Sequence, residues 1–165
     1  MLTTKLSEAE ERFRVDPAAA RSTPKVTASL VNGRARLSAG AFNWDADLPA
    51  ALGGENLAPS PTAYLLGALA GCAVAFLHDT LAQQFGVVID DVSAVASAAS
   101  DVRGLLAIDG ATAELTDFAL DIHVVTASPG DRTAAMLEAW QQRCPIYLAL
   151  LKPNSITLNS SVSAD

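Results

Sequence analysis

The stretch Ser60–Phe85, SPTAYLLGALAGCAVAFLHDTLAQQF, limits what this chain can become more than any other. Ser60 has the hydroxyl of a good helix N-cap, and Pro61 suits the first helical position, where its missing N–H costs nothing. Gly86 stands where a helix commonly ends in a left-handed residue. Between these marks the spacing predicts one helix of about 24 residues, roughly 36 Å long at 1.5 Å per residue. From Ala63 to Leu77 every face is apolar or small. A helix of that kind is enclosed on all sides or spans a membrane. The run stops at His78-Asp79, short of the roughly 18 apolar residues of a spanning helix, so it reads as a buried spine. Gly67 and Gly71 each cost about 1 kcal/mol against alanine in a helix interior. With Ala68, Ala70, Ala73 and Ala75 they predict a second helix crossing close by, from the same chain or a twin subunit. Cys72 lies near the middle of this spine.

A chain of 165 residues, half of them hydrophobic and only 18% charged, can bury one good core and is not disordered. Its net charge of -7 and pI near 4.7 leave no basic footprint for nucleic acid or an anionic membrane, so neither is expected as a partner. Met1–Arg14 mixes charges and lacks an apolar signal core, which predicts a cytoplasmic location. In that compartment two cysteines read as reactive or buried thiols rather than a static disulfide.

The rest of the chain reads as α+β. Leu6, Ala9 and Phe13 recur at helical spacing in Lys5–Arg14, Asp16-Pro17 ends that helix, and Ala18–Pro24 reads as linker. Residues 1–24 are thus an N-terminal helix and linker, and 25–165 a single domain. Lys25–Asp47 predicts a three-stranded antiparallel meander with Asn32-Gly33 as its first hairpin turn and Phe42, Trp44 and Ala46 on one face of its last strand. Leu48–Pro59 is a loop that delivers the chain to the spine. Strands follow at about Val87–Ala98 and Asp117–Thr126, separated by a turn over Asp101–Gly110. Asp131 begins a helix reaching Trp140 or Arg143, and Cys144-Pro145 restarts a short one through Leu151, with Cys144 at the N-cap. Ile156, Leu158 and Val162 predict a last strand. Such an order implies antiparallel or mixed sheets around the long central helix.

Several motifs carry no chemistry. Gly67-x-x-x-Gly71 lies inside a helix and cannot cradle a phosphate. Two histidines and two isolated cysteines give no zinc spacing, and no metal is expected. His78 is about 240° around the helix from Cys72 at 3.6 residues per turn. His123 alternates with Leu120 and Ile122 and faces solvent. What remains is the thiols. Cys72, deep in apolar surroundings, reads either as a buried core thiol with a raised pKa or as a nucleophile. Cys144 at a helix start, beside Arg143, reads either as an ordinary buried cysteine or as a thiol biased toward thiolate. A redox pair requires that they meet, which a spacing of 72 residues does not settle.

Ser60-Pro61, Leu65-Leu66-Gly67-Ala68-Leu69-Ala70-Gly71-Cys72 and Arg143-Cys144-Pro145 resemble the two cysteine motifs of the OsmC/Ohr family. Leu52-Gly53-Gly54 and Asp101-Val102-Arg103-Gly104 fit the same pattern, and the resemblance runs from about Lys25 to Ser163. It implies an α+β fold built as an intertwined homodimer with the spine helices central. It implies reduction of organic hydroperoxides or hydrogen peroxide, with Cys72 attacking and Cys144 resolving. No cofactor is implied beyond an external dithiol reductant. It also implies an arginine from the N-terminal strands beside the attacking thiol; Arg34 and Arg36, on one strand face, are the candidates. Where the family's peroxidases read Asn-Pro-Glu-Glu at the helix start, this chain reads Ser60-Pro61-Thr62-Ala63, without the carboxylate. Two other readings therefore stand beside a peroxidase. One is a dimer binding a small hydrophobic ligand, and the other a thiol enzyme with another substrate.

Overall fold

The computed structural model describes residues 2–152 and 154–163; Met1, Pro153, Ala164 and Asp165, the last three within the expected domain, lie outside them. Helix α1 (Leu2–Val15) ends at Asp16, whose carboxylate caps a short 3-10 turn over Pro17–Ala20 where a plain linker is expected. Strands β1 (Thr27–Val31), β2 (Arg34–Ala39) and β3 (Phe42–Ala46) form the expected antiparallel meander. At its first turn both Asn32 and Gly33 have positive φ, 51° and 77°, as a two-residue hairpin of right-handed twist requires.

Helix α2 runs without a break from Pro61 to Phe85, and Ser60 Oγ accepts the Ala63 N–H at its start. It is α-helical over Pro61–Phe76, π-helical over Leu77–Leu81, and α-helical again over Ala82–Phe85. The expected stop is present: Gly86 is left-handed, with φ 62°. At 25 residues this helix is long and apolar enough to cross a membrane by length and composition alone. In this fold its second half is a core helix.

Strands β4 (Asp91–Ala99) and β5 (Thr116–Val125) pair antiparallel as a second sheet, with an irregularity between Ser97 and Ala99. Between them Asp101 caps a helical turn, α3 (Val102–Leu105), where sequence suggests a loop. Its Gly104 is obligatory, because a Cβ there would lie 2.1 Å from the Thr112 carbonyl carbon. Helix α4 (Gly130–Arg143) and helix α5 (Pro145–Leu151) follow. Leu120, Ile122 and Val124 of β5 turn inward and His123 outward, as their alternation dictates.

One core lies between the second sheet, the later part of α2, and α4. Ala73, Leu77, Leu81, Met136, Trp140 and Cys144 are its fully or almost fully buried members. The expectation that α2 is enclosed along its whole length needs correction. Within Pro61–Phe76 only Leu69 and Ala73 are buried, since this chain covers the helix mainly at its later end. The close crossing expected at Gly67 and Gly71 is likewise not made by the described residues: a Cβ at either would meet nothing within 4 Å. The last strand is not formed either. Residues 154–163 have no secondary structure, and Ile156, Leu158 and Val162 are 90%, 86% and 100% exposed. A strand needs a neighbour to satisfy its N–H and C=O groups, and the described residues offer this segment none.

Candidate active site

The two thiols arrive from opposite directions. α2 carries Cys72 at the last α-helical turns before the π segment. α4 ends at Cys144, whose N–H donates to the Trp140 carbonyl (2.8 Å) as the chain leaves the helix. Pro145 cannot continue that helix but can open the next, so Cys144 closes one helix and caps another. Its Sγ accepts the Tyr147 N–H at 3.5 Å. Packing of Leu77, Leu81, Met136 and Trp140 draws α2 and α4 together, and Cys72 Sγ and Cys144 Sγ come to 2.8 Å. Both are free thiols.

Their surroundings differ. Cys144 is fully buried, whereas Cys72 is half-buried and keeps an approach from outside. Burial, then the hydrogen bond and charge of the neighbouring Cys144, push the Cys72 thiol up to about 11; the Ile146 N–H, near the same sulfur, works the other way. The first turn of α5 thus gives one N–H to the Cys144 sulfur and sets a second near Cys72.

Arg34 and Arg36 are elsewhere. Arg36 grips Asp45, its cross-strand partner, through both Nε and Nη2; this raises the arginine pKa and lowers that of the carboxyl. Leu37 and Trp44, which alternate with that pair, line an apolar cavity of about 450 Å³ against Tyr64, Gly67 and Ala68 of α2. Arg36 therefore occupies the face of the meander turned from the spine. Arg34 lies 3.8 Å from Glu55 and lines a smaller cavity with Gly54 and Pro61, at the start of α2. Pro61 is eleven residues from Cys72, about 16 Å along a helix. Neither arginine interacts with Cys72 among the described residues. His78 is also apart from the thiols, paired with Asp79 at 2.8 Å.

One organising residue escaped the sequence reading. Buried Asp47 accepts N–H groups from Leu48 (2.8 Å), Leu57 (3.0 Å) and Glu55 (3.2 Å), and so folds the loop that starts α2. These bonds, Leu57 first, hold its carboxyl below the usual range, helped by the Arg34 charge. Gly54 completes the loop, since a Cβ there would lie 1.9 Å from the Leu48 carbonyl oxygen. The adjacent glycines and the carboxylate seven positions earlier were the available signal. Tyr64 Oη then donates to the Asp45 carbonyl (2.6 Å), tying the meander to the first turns of α2.

Comparison with known proteins adds a family to this geometry. Residues 53–159 match the family described as OsmC-like protein. The fold matches an OsmC-like protein from Mycoplasma pneumoniae with a TM-score of 0.66 at 17% identity, over 79% of this chain and 88% of that one. It matches an organic hydroperoxide resistance protein OsmC from Legionella pneumophila with a TM-score of 0.57 at 22% identity, over 78% and 89%. An OsmC-like protein of unknown function from Vibrio cholerae gives 0.57 at 10% identity, over 78% and 94%. Among curated proteins none matches.

Proposed function

Because the chain belongs to the OsmC-like protein family and has that family's α+β fold, we propose that it is a cysteine-based hydroperoxide reductase. The observation that carries this reading is the 2.8 Å approach of Cys72 and Cys144. The Cys72 thiolate attacks one oxygen of the hydroperoxide; the O–O bond breaks, the sulfur keeps that oxygen as a sulfenic acid, and the other leaves as an alcohol or water after taking a proton. Cys144 then attacks the Cys72 sulfur, a disulfide forms, and the sulfenic oxygen leaves as water. An external dithiol reopens the disulfide and is itself oxidised. The asymmetry suits these roles, since the accessible sulfur meets the substrate and the buried one meets only its partner.

A thiol pushed up to about 11 is a poor nucleophile near pH 7 until something favours its anion. The Ile146 N–H is one such group within the chain. A cation is the other, and we propose that it comes with a second copy. The apolar cavity beside Gly67 and Ala68, the bare stretch around Gly71 and the exposed tail residues Ile156 and Leu158 all leave apolar surface that a homodimer would cover. Arg34 and Arg36 enter the reaction only in such a dimer. Alkylation of Cys72 against pH, in a Cys144→Ala background, tests this part. Arg34→Met or Arg36→Met should raise the apparent thiol pKa by about a unit or more; unchanged profiles for both remove the arginines from the site.

The reaction is tested by adding one equivalent of cumene hydroperoxide, counting free thiols and weighing the intact protein. Loss of both thiols with one intramolecular disulfide is expected. Two thiols that persist in the presence of excess peroxide sink the reading.

A further inference from the structure

The indole Nε1 of Trp140 is buried and has no hydrogen-bond partner, although the residue is only 2% exposed. A buried donor left empty costs roughly 1–3 kcal/mol, and native structures rarely keep one without a use. The second orphan among the described residues, Gln83 Oε1, belongs to an amide whose nitrogen already donates to the Asp79 carbonyl. Trp140 has no such compensation. Its place is what gives the empty donor meaning. It lies one helical turn before Cys144 on α4 and accepts the Cys144 N–H with its own carbonyl. Its ring packs 5.2 Å from that of Tyr147, the residue whose N–H reaches Cys144 Sγ. It belongs to the same buried cluster as Cys144, and Cys72 packs against that cluster. Thiols are weak acceptors, so the reduced pair has little to offer an indole N–H.

We propose that the Trp140 N–H is a donor held for an oxygen that exists only during turnover: the sulfenic oxygen on Cys72. The inference rests on the peroxidase reading and deepens it by one residue. While Cys72 carries the oxygen, the indole N–H donates to it. When Cys144 attacks, the S–O bond breaks, the S–S bond forms, and the oxygen leaves as hydroxide that takes up the proton shed by the Cys144 thiol. Negative charge develops on that oxygen in the transition state, where a fixed donor in a dry site is strongest. The first step, peroxide attack on Cys72, does not need this bond. Trp140 therefore governs resolution and not the initial oxidation.

The indole resonances of Trp44 and Trp140, the two tryptophans of the sequence, supply a direct readout. In Cys144→Ala protein labelled with ¹⁵N, one equivalent of cumene hydroperoxide leaves Cys72 as a sulfenic acid, detected as one added oxygen by intact mass. The Trp140 indole proton should then move downfield while that of Trp44 stays in place. In the protein with both cysteines, Trp140→Phe keeps the ring against Tyr147 and removes only the donor. It should leave the rate of first oxidation unchanged and slow disulfide formation about tenfold or more, the scale of one lost hydrogen bond to a charged group. Added oxygen with a stationary Trp140 resonance overturns the inference and leaves the peroxidase reading standing. Failure of Cys72 to gain oxygen overturns both. If Trp140→Phe slows both steps equally, the residue is merely structural and the inference fails.

Discussion

The more apolar half of α2 is the barer one. From Ala73 to Ala82 one face of the helix is sealed, with Ala73, Leu77 and Leu81 wholly buried against α4 and the β4–β5 sheet, while His78 and Asp79 stay exposed on the other. From Pro61 to Cys72 it is mostly bare, with Gly67 and Gly71 facing open space and the meander standing off across a cavity. Hydrophobicity alone would bury the bare half instead. What separates the halves is which neighbours the chain can bring. The sealed half packs against α4 and the second sheet, whereas the meander is tied to the open half by polar contacts such as Tyr64 to Asp45. The sealed half fixes the thiol pair. The open half is where a second copy would contribute.

The largest effect should fall on the thiols at the boundary between the halves. Cys72→Ser should abolish peroxide consumption, while Cys144→Ser should allow one turnover and leave Cys72 as sulfenic or over-oxidised acid, followed by intact mass. Full turnover by Cys72→Ser would reverse the assignment of roles.

The comparison itself is tested by truncation on each side. Leu77→Ala, in the sealed half, should cost about 2–5 kcal/mol in denaturant unfolding. Phe42→Ala, on a residue 75% exposed in the meander, should change single-chain stability by no more than about 0.5 kcal/mol. A large loss for Phe42→Ala that depends on protein concentration would show the meander sealed by a second copy.

Smaller effects probe the loop at the start of α2. Gly54→Ala must move the Leu48 carbonyl and should cost about 1–3 kcal/mol; a neutral result would mean that the loop yields. Asp47 has a folded pKa below its unfolded value, so its stabilisation is full above the unfolded value of about 3.9 and is lost as pH falls through the folded one. The melting temperature of Asp47→Asn should lie below that of the parent at pH 7, and the gap should close on acidification. A gap independent of pH would show that the carboxylate charge is not what holds the loop.

The smallest change sharpens the comparison most. In a bare single chain Gly67→Ala should gain up to about 1 kcal/mol of helix propensity, because nothing stands within 4 Å of the new methyl. If a second copy packs there, the same change should cost stability and weaken association instead. Sedimentation of the parent and variant at micromolar concentration, against the single-chain mass of 17.1 kDa, decides which.

Local chemistry was legible in the sequence wherever a residue's nearest neighbours in the chain set its conformation. Ser60-Pro61 and Gly86 bounded α2, Asn32-Gly33 turned the first hairpin, and Cys144-Pro145 opened α5, because caps and turns are decided within about four residues. Alternation placed His123 outside. The last strand was read from the same alternation and did not form, since pairing needs a partner that no local pattern supplies. Tertiary structure alone decided three things. It brought Cys72 within 2.8 Å of Cys144 across 72 residues, because packing of Leu77 and Leu81 against Met136 and Trp140 sets where α4 ends. It turned Arg36 from the spine and bound it to Asp45, because strand register, not sequence distance, assigns faces. It also left Trp140 buried with its N–H empty, a condition that exists only once a core closes around the side chain.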